Sequence, residues 1–563
     1  MKKKRLCVFT LFVLFLILFL HTVYAEQHMK LLAVEESADE AKGTIADLGL
    51  RTVKGHGEVY TATFPLTEMD TQISTRVAKD IACEFAAKRC NDVDFLYTIK
   101  SNSSIIGGPS GGAALSVLTA AELKGKKIDD KISITGTINS GGLIGPVGGL
   151  IQKIKAASLE GLNTVLIPKG TRYVDIINRS NITKTVDLVE YGKDVNITVI
   201  EVSTLSEAYS YFTHTKYEEP IINLKVDESY KTTMKMLADM LCNRTNELKT
   251  VLDWNDTKEV KNLSAKAKLN YDLGNYYTAA SYCFGENLVY QKERYSELSY
   301  FELQEKTEKM HKRILNFKTM DYDSITDLQI YMVVKERLYE AERWVYLANQ
   351  SLEKKNLKDA AQQTAYANER IYSAEVWSNF FNNNDEKVMF SQEMLKQGCV
   401  TKIEEAKERI QYVKLYFPEL VKDTQMELAQ AESDLENSQY ELCMFKSAKA
   451  KADADVILGI MGVKKEYLDS TIDEKLKVVL KEIAKKTYFP IVPYSYYEYA
   501  QDLKSEDKYS SLLYAEYALE LANLEMYYKI DGQKVELNGR EKLIVLILVI
   551  LLLLISQYHI RRY

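Results

Sequence analysis

The frequency of glycine changes near residue 215, and this change divides the chain into two parts that must fold differently. Before it, glycines punctuate short β-branched runs that alternate with helical stretches, which is the pattern of a mixed α/β domain. After Lys216, glycine and proline become rare, and Tyr, Ala, Glu, Lys and Leu recur at helical spacing. The sequence therefore predicts an α/β domain over residues 26–215 and an all-α domain over residues 216–540.

In the first part, the apolar pattern predicts strands and helices in alternation. The expected strands are Glu58–Leu66, Val93–Ile99, Ile132–Ile138, Thr164–Pro168 and Val195–Val202, and the expected helices are Thr71–Cys90, Ser110–Leu123, Leu150–Leu159 and Leu205–Phe212. Cys83 and Cys90 fall on the first of these helices. A continuous helix places them about 10 Å apart along its axis, which is too far for a disulfide. The sequence therefore argues against a bond between these two cysteines if the helix is continuous, and it leaves the disulfide state open.

The second part contains a loose repeat in which a tight turn leads into an alanine-rich helix. The repeats are Leu273–Tyr276 with Ala279 and Ala280, Lys355–Leu357 with Ala360 and Ala361, Asn437–Tyr440 with Ala448 and Ala450, and Glu506–Tyr509 with Ala515 and Ala518. Small residues let paired helices approach closely, so the repeat predicts stacked helical hairpins of the tetratricopeptide kind or a bundle. A long coiled coil is the alternative, although no sustained heptad pattern is present. We expect Trp254, Trp344 and Trp377 to pack in the core or in a groove.

The first residues have the pattern of an export signal. Met1–Arg5 is basic, Cys7–Leu20 is apolar and uncharged, and Val23–Ala25 resembles a cleavage site. The apolar run has about the length of a signal peptide core, which predicts a signal over residues 1–25. An uncleaved N-terminal anchor is the alternative.

The last residues predict a membrane anchor over residues 541–563. Leu543–Ile555 contains only Leu, Ile and Val, and with its polar flanks this run can cross a bilayer. Arg561 and Arg562 follow the run and favour a cytoplasmic tail. Asn-x-Ser/Thr sequences at several positions between 102 and 349 agree with export. The expected arrangement is a single-pass type I protein of the cell membrane, with its body outside.

Two glycine-rich stretches carry the residues that point to chemistry. Ser110 lies in Gly107–Gly112, and Lys153 follows a Gly-Gly pair in the second stretch. A serine hydroxyl is a poor nucleophile until a base takes its proton, and lysine can act as that base only when it is neutral. Because the free pKa of lysine is about 10.4, this role needs an apolar setting, which the residues around Lys153 can provide. The pattern predicts a dyad of Ser110 and Lys153.

The residues beside the serine permit two interpretations. Gly107, Gly108, Pro109 and Gly111 can let a substrate backbone come close and can direct backbone N–H groups at an oxyanion. The alternative is purely structural, because serine is a favoured helix N-cap and Gly-Pro is simple turn chemistry. Lys155 is a rival base, but it lies toward another face of the predicted helix.

Other kinds of chemistry have little support in the sequence. His28, His56, His214 and His311 lie outside the glycine-rich segments, so we expect surface histidines and no Ser-His-Asp triad. The chain has neither a Cys-x-x-Cys pair nor a Gly-x-x-x-x-Gly-Lys-Ser/Thr loop, which predicts no metal, no cofactor and no ATP. A formal charge of −6 on 563 residues, without a basic block away from the termini, argues against nucleic acid.

The order and spacing of the motifs resemble the proteolytic domain of Lon proteases, the Ser-Lys family, over residues 42–214. The matching boxes are Gly-Pro-Ser-x-Gly around Ser110, Thr-Gly-x-Ile from Thr135, and Gly-Leu-Ile-Gly-Pro-Val-Gly-Gly-Leu-x-x-Lys ending at Lys153, followed by Thr164–Pro168. Carried over by position, the resemblance implies that Ser110 is the nucleophile and Lys153 the general base. It implies that Thr135 is the threonine that forms a hydrogen bond with the lysine.

The chain departs from the family pattern at two positions. Many Lon domains have an acidic residue where this chain has Gly107, and a glutamate where it has Thr137. These differences leave the dyad in place but put the tuning of the site and substrate binding in doubt. The order of segments also resembles predicted archaeal Lon-related membrane proteases that lack the ATPase domain.

These resemblances imply a function. The expected protein is a membrane-anchored, ATP-independent serine endopeptidase that hydrolyses flexible or unfolded extracytoplasmic polypeptides. Because Lon domains tend to form rings, the resemblance also implies a homo-oligomer. A catalytically inactive surface scaffold of Lon fold and a peptide-binding helical adaptor are the alternatives.

Overall fold

The computed structural model of the protein describes residues 26–524, with gaps at 36–41, 65, 67–68, 89, 102–107, 178–182, 217–221, 223, 252–256, 319, 382–386, 389 and 462. The predicted signal (1–25) and the predicted anchor (541–563) lie outside the described residues. Within the described ranges, no helix combines the length and the apolar character that a membrane crossing requires.

The part before residue 215 contains both strands and helices. Its elements are β1 (Gln27–Glu35), β2 (Lys42–Lys54), β3 (Val59–Phe64), α1 (Met69–Ala86), β4 (Val93–Ser101), α2 (Gly112–Leu123), β5 (Ile132–Ile134), β6 (Thr137–Asn139), β7 (Leu143–Gly145), α3 (Leu150–Leu159), β8 (Thr164–Pro168), β9 (Tyr173–Ile177), β10 (Thr183–Asp187), α4 (Leu188–Asp194), β11 (Thr198–Val202) and α5 (Leu205–Thr213). Short 3-10 turns at Pro109–Gly111 and Ser140–Gly142 precede α2 and β7. The mixed α/β character predicted from the sequence is confirmed.

The strands of this part form small sheets around α2. The largest sheet has the order β1-β2-β4-β3, in which β3 runs parallel to β4 and the other pairs are antiparallel. A parallel sheet has the order β11-β8-β5, while β6 with β7 and β9 with β10 are antiparallel pairs. Nearly every residue of α2 is buried, and many are alanines that permit close packing. The core therefore fixes the start of α2, where Ser110 lies.

The structure differs from the predicted elements in two instructive places. The strands β1 and β2 were not expected, and they supply half of the largest sheet, with Leu48 and Leu50 fully buried. The predicted strand Ile132–Ile138 is divided into β5 and β6 at Thr135 and Gly136. The N–H group of Gly136 bonds to the carbonyl of Ser110 at 3.0 Å, so this break turns the chain toward the serine.

The prediction of a continuous helix as far as Cys90 is wrong, and Cys83 and Cys90 form a disulfide with their Cα atoms 6.2 Å apart. The helix expected over Thr71–Cys90 ends at Ala86. Ala87 has a left-handed backbone (φ +52°). Its N–H bonds to the carbonyl of Glu84, and the N–H of Lys88 bonds to that of Cys83. These bonds form a Schellman cap, which reverses the chain and brings Cys90 back to the helix.

The part after residue 215 is mostly helical in its described residues. Its helices are α6 (Glu228–Val251), α7 (Lys258–Leu273), α8 (Tyr276–Ser296), α9 (Tyr300–Leu315), α10 (Ile325–Glu353), α11 (Leu357–Trp377), α12 (Gln392–Tyr416), α13 (Lys422–Glu436), α14 (Tyr440–Ile460), α15 (Leu468–Ala484), α16 (Ile491–Leu503) and α17 (Lys508–Ala522). The exact boundary at residue 215 stays a prediction, but the mostly helical character of this part is confirmed.

Each predicted turn joins two helices that pack against one another. The pairs are α7 with α8, α10 with α11, α13 with α14, and α16 with α17. The alanines that follow each turn are all buried in the second helix, so the small residues lie where the paired helices meet. Trp344 stacks on Tyr366 with ring centroids 4.8 Å apart, and Trp377 is 2% exposed, as expected for packing residues. Trp254 lies outside the described residues.

Disulfides and a shared core connect the elements further. Cys242 is bonded to Cys283, which joins α6 to α8, and Cys399 is bonded to Cys443, which joins α12 to α14. One cluster of buried apolar residues runs from the sheets into the helical part. The two parts are therefore packed against each other over a common core.

Candidate active site

Ser110 lies in the 3-10 turn that leads into α2. Gly108 precedes this turn with a φ of +96°, and Pro109 occupies its first position. Positive φ is readily available only to glycine, and proline has no N–H to leave unpaired at a helix start. The serine is half-buried, so the start of α2 is partly accessible at this residue.

The segment between β5 and β6 lies directly against this turn. The carbonyl of Ser110 accepts hydrogen bonds from the N–H of Gly136 (3.0 Å) and from the Thr135 hydroxyl (3.4 Å). The carbonyl of Gly136 in turn accepts from the N–H of Ala113 (3.0 Å). These reciprocal bonds fasten Thr135, which is fully buried, to the backbone of the serine turn.

Lys153 reaches the same place from α3. The lysine is only 3% exposed, and its Nζ donates to the Oγ1 of Thr135 at 3.1 Å. Burial lowers the pKa of Lys153 from 10.5 to about 8, because an apolar environment disfavours the charged form. About one molecule in ten is then neutral at pH 7, against fewer than one in a thousand for a free lysine.

The hydroxyl of Thr135 connects the two candidate residues and decides the orientation of the amine. Its proton is directed at the Ser110 carbonyl, so its oxygen accepts a hydrogen from Lys153. A neutral amine that donates one N–H keeps its lone pair free. Within the described residues there is no direct hydrogen bond from Lys153 Nζ to Ser110 Oγ, and catalytic contacts of this kind often tighten only when a substrate is bound.

The rival candidates do not share this environment. Lys155 is exposed, two residues further along α3 and on its other face. His28, His56, His214 and His311 are all exposed. His214 pairs with Asp129 at 2.8 Å, away from the serine. The structure therefore brings together Ser110, Thr135 and Lys153 and leaves the histidines at the surface.

The glycine loop is described only in part. Gly107 lies outside the described residues. A Cβ on Gly108 would meet no heavy atom within 4 Å, and one on Gly111 would come no closer than 3.9 Å to a neighbour. The N–H of Gly112 is bonded to the carbonyl of Pro109. The predicted oxyanion role of Gly107, Gly108, Pro109 and Gly111 stays a prediction.

A half-buried serine at a helix start, beside a buried lysine of lowered pKa, is the arrangement that a serine-type hydrolase with a lysine base requires. Comparison with known proteins finds a family to which this region is similar. Residues 92–195 match the family model of the Lon protease (S16) C-terminal proteolytic domain. This segment contains all three candidate residues, and the match confirms the predicted resemblance.

Several curated Lon proteases are similar to the same region. The Lon protease of Clostridium beijerinckii is 34% identical over 116 residues, which are 20% of this chain and 13% of that protein. The Lon protease of Mycoplasma pneumoniae is 38% identical over 91 residues (16% and 11%). Lon protease 2 of Bacillus subtilis is 34% identical over 102 residues (18% and 16%). The chain thus covers no more than 16% of these three relatives, and the similarity supports a serine-type peptidase.

Three further polar residues meet at the segment that links Thr135 to Lys153, and they were not found from the sequence. Ser140 lies in the turn between β6 and β7, where its hydroxyl contacts Lys475 and Glu516 of the helical part. The Gly-Gly pair after Ser140 indicates a turn. Its two partners, 335 and 376 residues further along the chain, leave no local signal.

Proposed function

We propose that the protein is a serine endopeptidase in which Ser110 is the nucleophile and Lys153 the general base. The observation that carries the proposal is the environment of Lys153. This lysine is buried, its pKa is lowered to about 8, and it is bonded to a threonine that also contacts the serine turn. A structural lysine would instead be expected to keep a carboxylate partner.

In the first half of the reaction, the neutral amine of Lys153 takes the proton of the Ser110 hydroxyl as its oxygen attacks the peptide carbonyl carbon. The carbonyl π electrons move to oxygen, which gives a tetrahedral oxyanion. When this intermediate collapses, the C–N bond breaks and the Lys153 ammonium gives its proton to the leaving amine. Lys153 is again neutral, and Ser110 carries the acyl group as an ester.

In the second half of the reaction, a water molecule takes the place of the departed leaving amine. Lys153 takes one proton from the water as its oxygen attacks the ester carbonyl, and then returns that proton to Ser110 Oγ as the ester bond breaks. Thr135 keeps its bond to the amine during both halves and so holds the lone pair in position. No external oxidant, metal or nucleotide is consumed in either half.

We infer that the substrates are flexible or unfolded polypeptides with apolar side chains. A cleft of about 340 Å³ lies between the two parts of the protein. Its lining includes Pro146, Val147, Tyr173, Ile460 and Tyr467 beside charged residues such as Lys169, Glu474, Lys475 and Glu516, and Ser110, Thr135 and Lys153 are not among the lining residues. It also reaches Leu150, one turn of α3 before Lys153. A cleft of this kind suits an apolar side chain of an extended segment.

We propose further that the catalytic part acts outside the cell membrane and that the C-terminal apolar run anchors it there. The disulfides support this proposal. All six cysteines after Cys7 are paired, and such bonds form and persist in oxidising compartments. The helical part would then recruit substrates, keep the catalytic part at a distance from the membrane, or assemble copies of the chain into an oligomer.

The proposal is tested by hydrolysis of an unfolded protein such as reduced, alkylated casein in the absence of ATP. We expect cleavage by the wild-type protein and none by the Ser110→Ala variant. A Ser110→Ala protein that cleaves as fast as wild type overturns the mechanism. A wild-type protein that folds and cleaves nothing favours the inactive scaffold.

A further inference from the structure

The turn Ser140–Gly142 lies in the segment of chain that links Thr135 to Lys153. It joins β6 to β7. Upstream, β6 follows directly after Thr135 and Gly136, which are bonded to the Ser110 carbonyl. Downstream, β7 leads through Pro146–Gly149 into α3 and Lys153. A displacement of this turn would therefore move Thr135, Lys153 or both relative to the serine.

The helical part contacts this turn through a buried ion pair. Lys475 of α15 and Glu516 of α17 form an ion pair, and their side chains are 3% and 1% exposed. Nζ of Lys475 donates to the Ser140 hydroxyl (2.8 Å) and to the Ser140 carbonyl (3.2 Å). The Ser140 hydroxyl in turn donates to the carboxylate of Glu516, whose two oxygens both lie 2.8 Å away. We call these three residues the clasp.

The shape of the turn is fitted to the same two helices. Gly141 has a φ of +69°, and a Cβ at this position would lie 2.4 Å from Val478 and 3.3 Å from Leu519. Val478 belongs to α15 and Leu519 to α17. The helices that carry the two charges thus also press directly on the backbone of the turn, so that it has little room to move.

The chemistry of the clasp favours a positioning role over a stabilising one. Burying two charges costs about as much free energy as their attraction returns, so an apolar pair of similar size would hold the two parts together equally well. An apolar pair, however, makes no directional hydrogen bonds. The clasp fixes a serine hydroxyl and its carbonyl through several hydrogen bonds of defined geometry, which specifies one position for the turn.

We propose that Ser140, Lys475 and Glu516 are positioning residues through which the helical part holds Thr135 and Lys153 in their places beside Ser110. The inference rests on the proposed function. According to this proposal, the chemical step requires the helical part. When the helical part is not docked, the site in the α/β part is misaligned. Misplacement of catalytic groups by about 1 Å can lower a rate about 100-fold.

The test measures how fast a fluorophosphonate probe labels Ser110 in full-length protein, as a function of pH. Glu516→Gln removes the carboxylate, and Ser140→Ala removes only the hydroxyl and leaves the ion pair, which keeps a second variant available where the first does not fold. Glu369→Gln is the matched control. Glu369 is equally buried and paired with Arg244, but within the helical part. Circular dichroism verifies that each protein is folded.

We expect Glu516→Gln to lower the labelling rate about 100-fold. The pH midpoint of labelling should move from about 8 toward the ordinary lysine value of 10.5, and Ser140→Ala should act in the same direction. Glu369→Gln should keep the wild-type rate and midpoint. A folded Glu516→Gln or Ser140→Ala protein with wild-type rate and midpoint overturns the inference, and so does an equal loss in Glu369→Gln.

Hydrogen–deuterium exchange separates failure of this inference from failure of the proposed function. Faster exchange at residues 137–145 in Glu516→Gln, with wild-type exchange there in Glu369→Gln, shows that the clasp holds the turn, and this readout does not depend on labelling of Ser110. Unchanged exchange overturns it. A wild-type protein that exchanges as expected but is not labelled at Ser110 overturns the proposed function alone.

Discussion

Nζ of Lys153 lies 3.1 Å from Oγ1 of Thr135, and this contact joins two elements that are separate in the fold. The threonine follows β5 and contacts the serine turn through the Ser110 carbonyl, whereas the lysine belongs to α3. One hydroxyl thus sets the position of a buried amine relative to a helix start. This relationship gives the predictions below their direction.

Hydrolysis should depend on pH through the neutral fraction of Lys153. Because burial lowers the pKa of this lysine to about 8, the rate should rise about tenfold per pH unit below pH 7 and level off above about pH 9. The measurement is kcat/KM for a fluorogenic peptide between pH 5 and pH 10. A rate that is flat across pH 8 contradicts the assignment of Lys153 as base.

Replacement of Lys153 should remove the activity and increase the stability of the fold. Lys153→Met should abolish hydrolysis, and at pH 7 it should raise the free energy of unfolding by about 3 kcal/mol, because a buried, unpaired charge is removed. The folded-state pKa of about 8 lies below the unfolded value, so wild-type stability rises with pH between these values. Measured by urea unfolding, the extra stability of Lys153→Met over wild type should be fully present below pH 8 and should disappear toward pH 10.5. Lower stability of the variant at pH 7 would contradict this account.

Thr135 should matter through its hydroxyl. Thr135→Val keeps the shape but removes the acceptor for Lys153 and the donor to Ser110, so kcat should fall about 10- to 100-fold with little change in KM. Thr364→Val is the matched control, since Thr364 is also fully buried and bonded, but to Ala360 in α11. Equal kinetic effects in both variants would show that the loss is not specific to the site.

The start of α2 should tolerate no side chain at Gly112. A Cβ there would lie 3.0 Å from the side chain of Ile138 and 3.1 Å from its backbone nitrogen, so Gly112→Ala should destabilise the protein by about 1–3 kcal/mol. Gly459→Ala is the comparison, because no heavy atom lies within 4 Å of its Cβ and Gly459 is in a helix. That variant should be more stable by about 0.5–1 kcal/mol. Equal thermal midpoints for the two variants would contradict the packing described.

A disulfide that closes a longer stretch of chain should stabilise the fold more. Loss of Cys399–Cys443, with a sequence separation of 44, should cost about 4 kcal/mol. Loss of Cys83–Cys90, with a separation of 7, should cost about 2–3 kcal/mol. Double alanine variants in urea unfolding measure both losses, and reductant should bring the wild-type protein below either variant. Free thiols at these positions in unreduced protein would contradict the pairing and the proposed extracytoplasmic location.

Local patterns in the sequence predicted the elements whose residues alternate or repeat over a few turns. The bounds of α3 and β8 agree with their predicted ranges, because glycine marks the start of one and a β-branched run defines the other. The alanine-rich hairpins were predicted for the same reason. The candidate residues Ser110, Thr135 and Lys153 came from spacing and from resemblance, and the structure places them in one hydrogen-bonded group.

Features that depend on distant partners were not predicted. β2 is a central strand, but its pairing with β1 and β4 comes from residues up to 55 positions away, as for Ala46 and Ser101. The Schellman cap after α1 has Ala87 where glycine is usual, so nothing local indicated that Cys90 returns to Cys83. The clasp joins Ser140 to residues in the last helices of the described chain. Such a contact leaves no periodic pattern in the sequence from which it could be predicted.

The most direct measurement of the central claim is mass spectrometry of full-length protein treated with a fluorophosphonate probe. The account predicts one adduct, on Ser110, that forms with a pH midpoint of about 8 and is absent from the Ser110→Ala and Lys153→Met proteins. An unlabelled Ser110 in folded, wild-type protein at pH 9, or labelling that persists at the same rate in Lys153→Met, would contradict it.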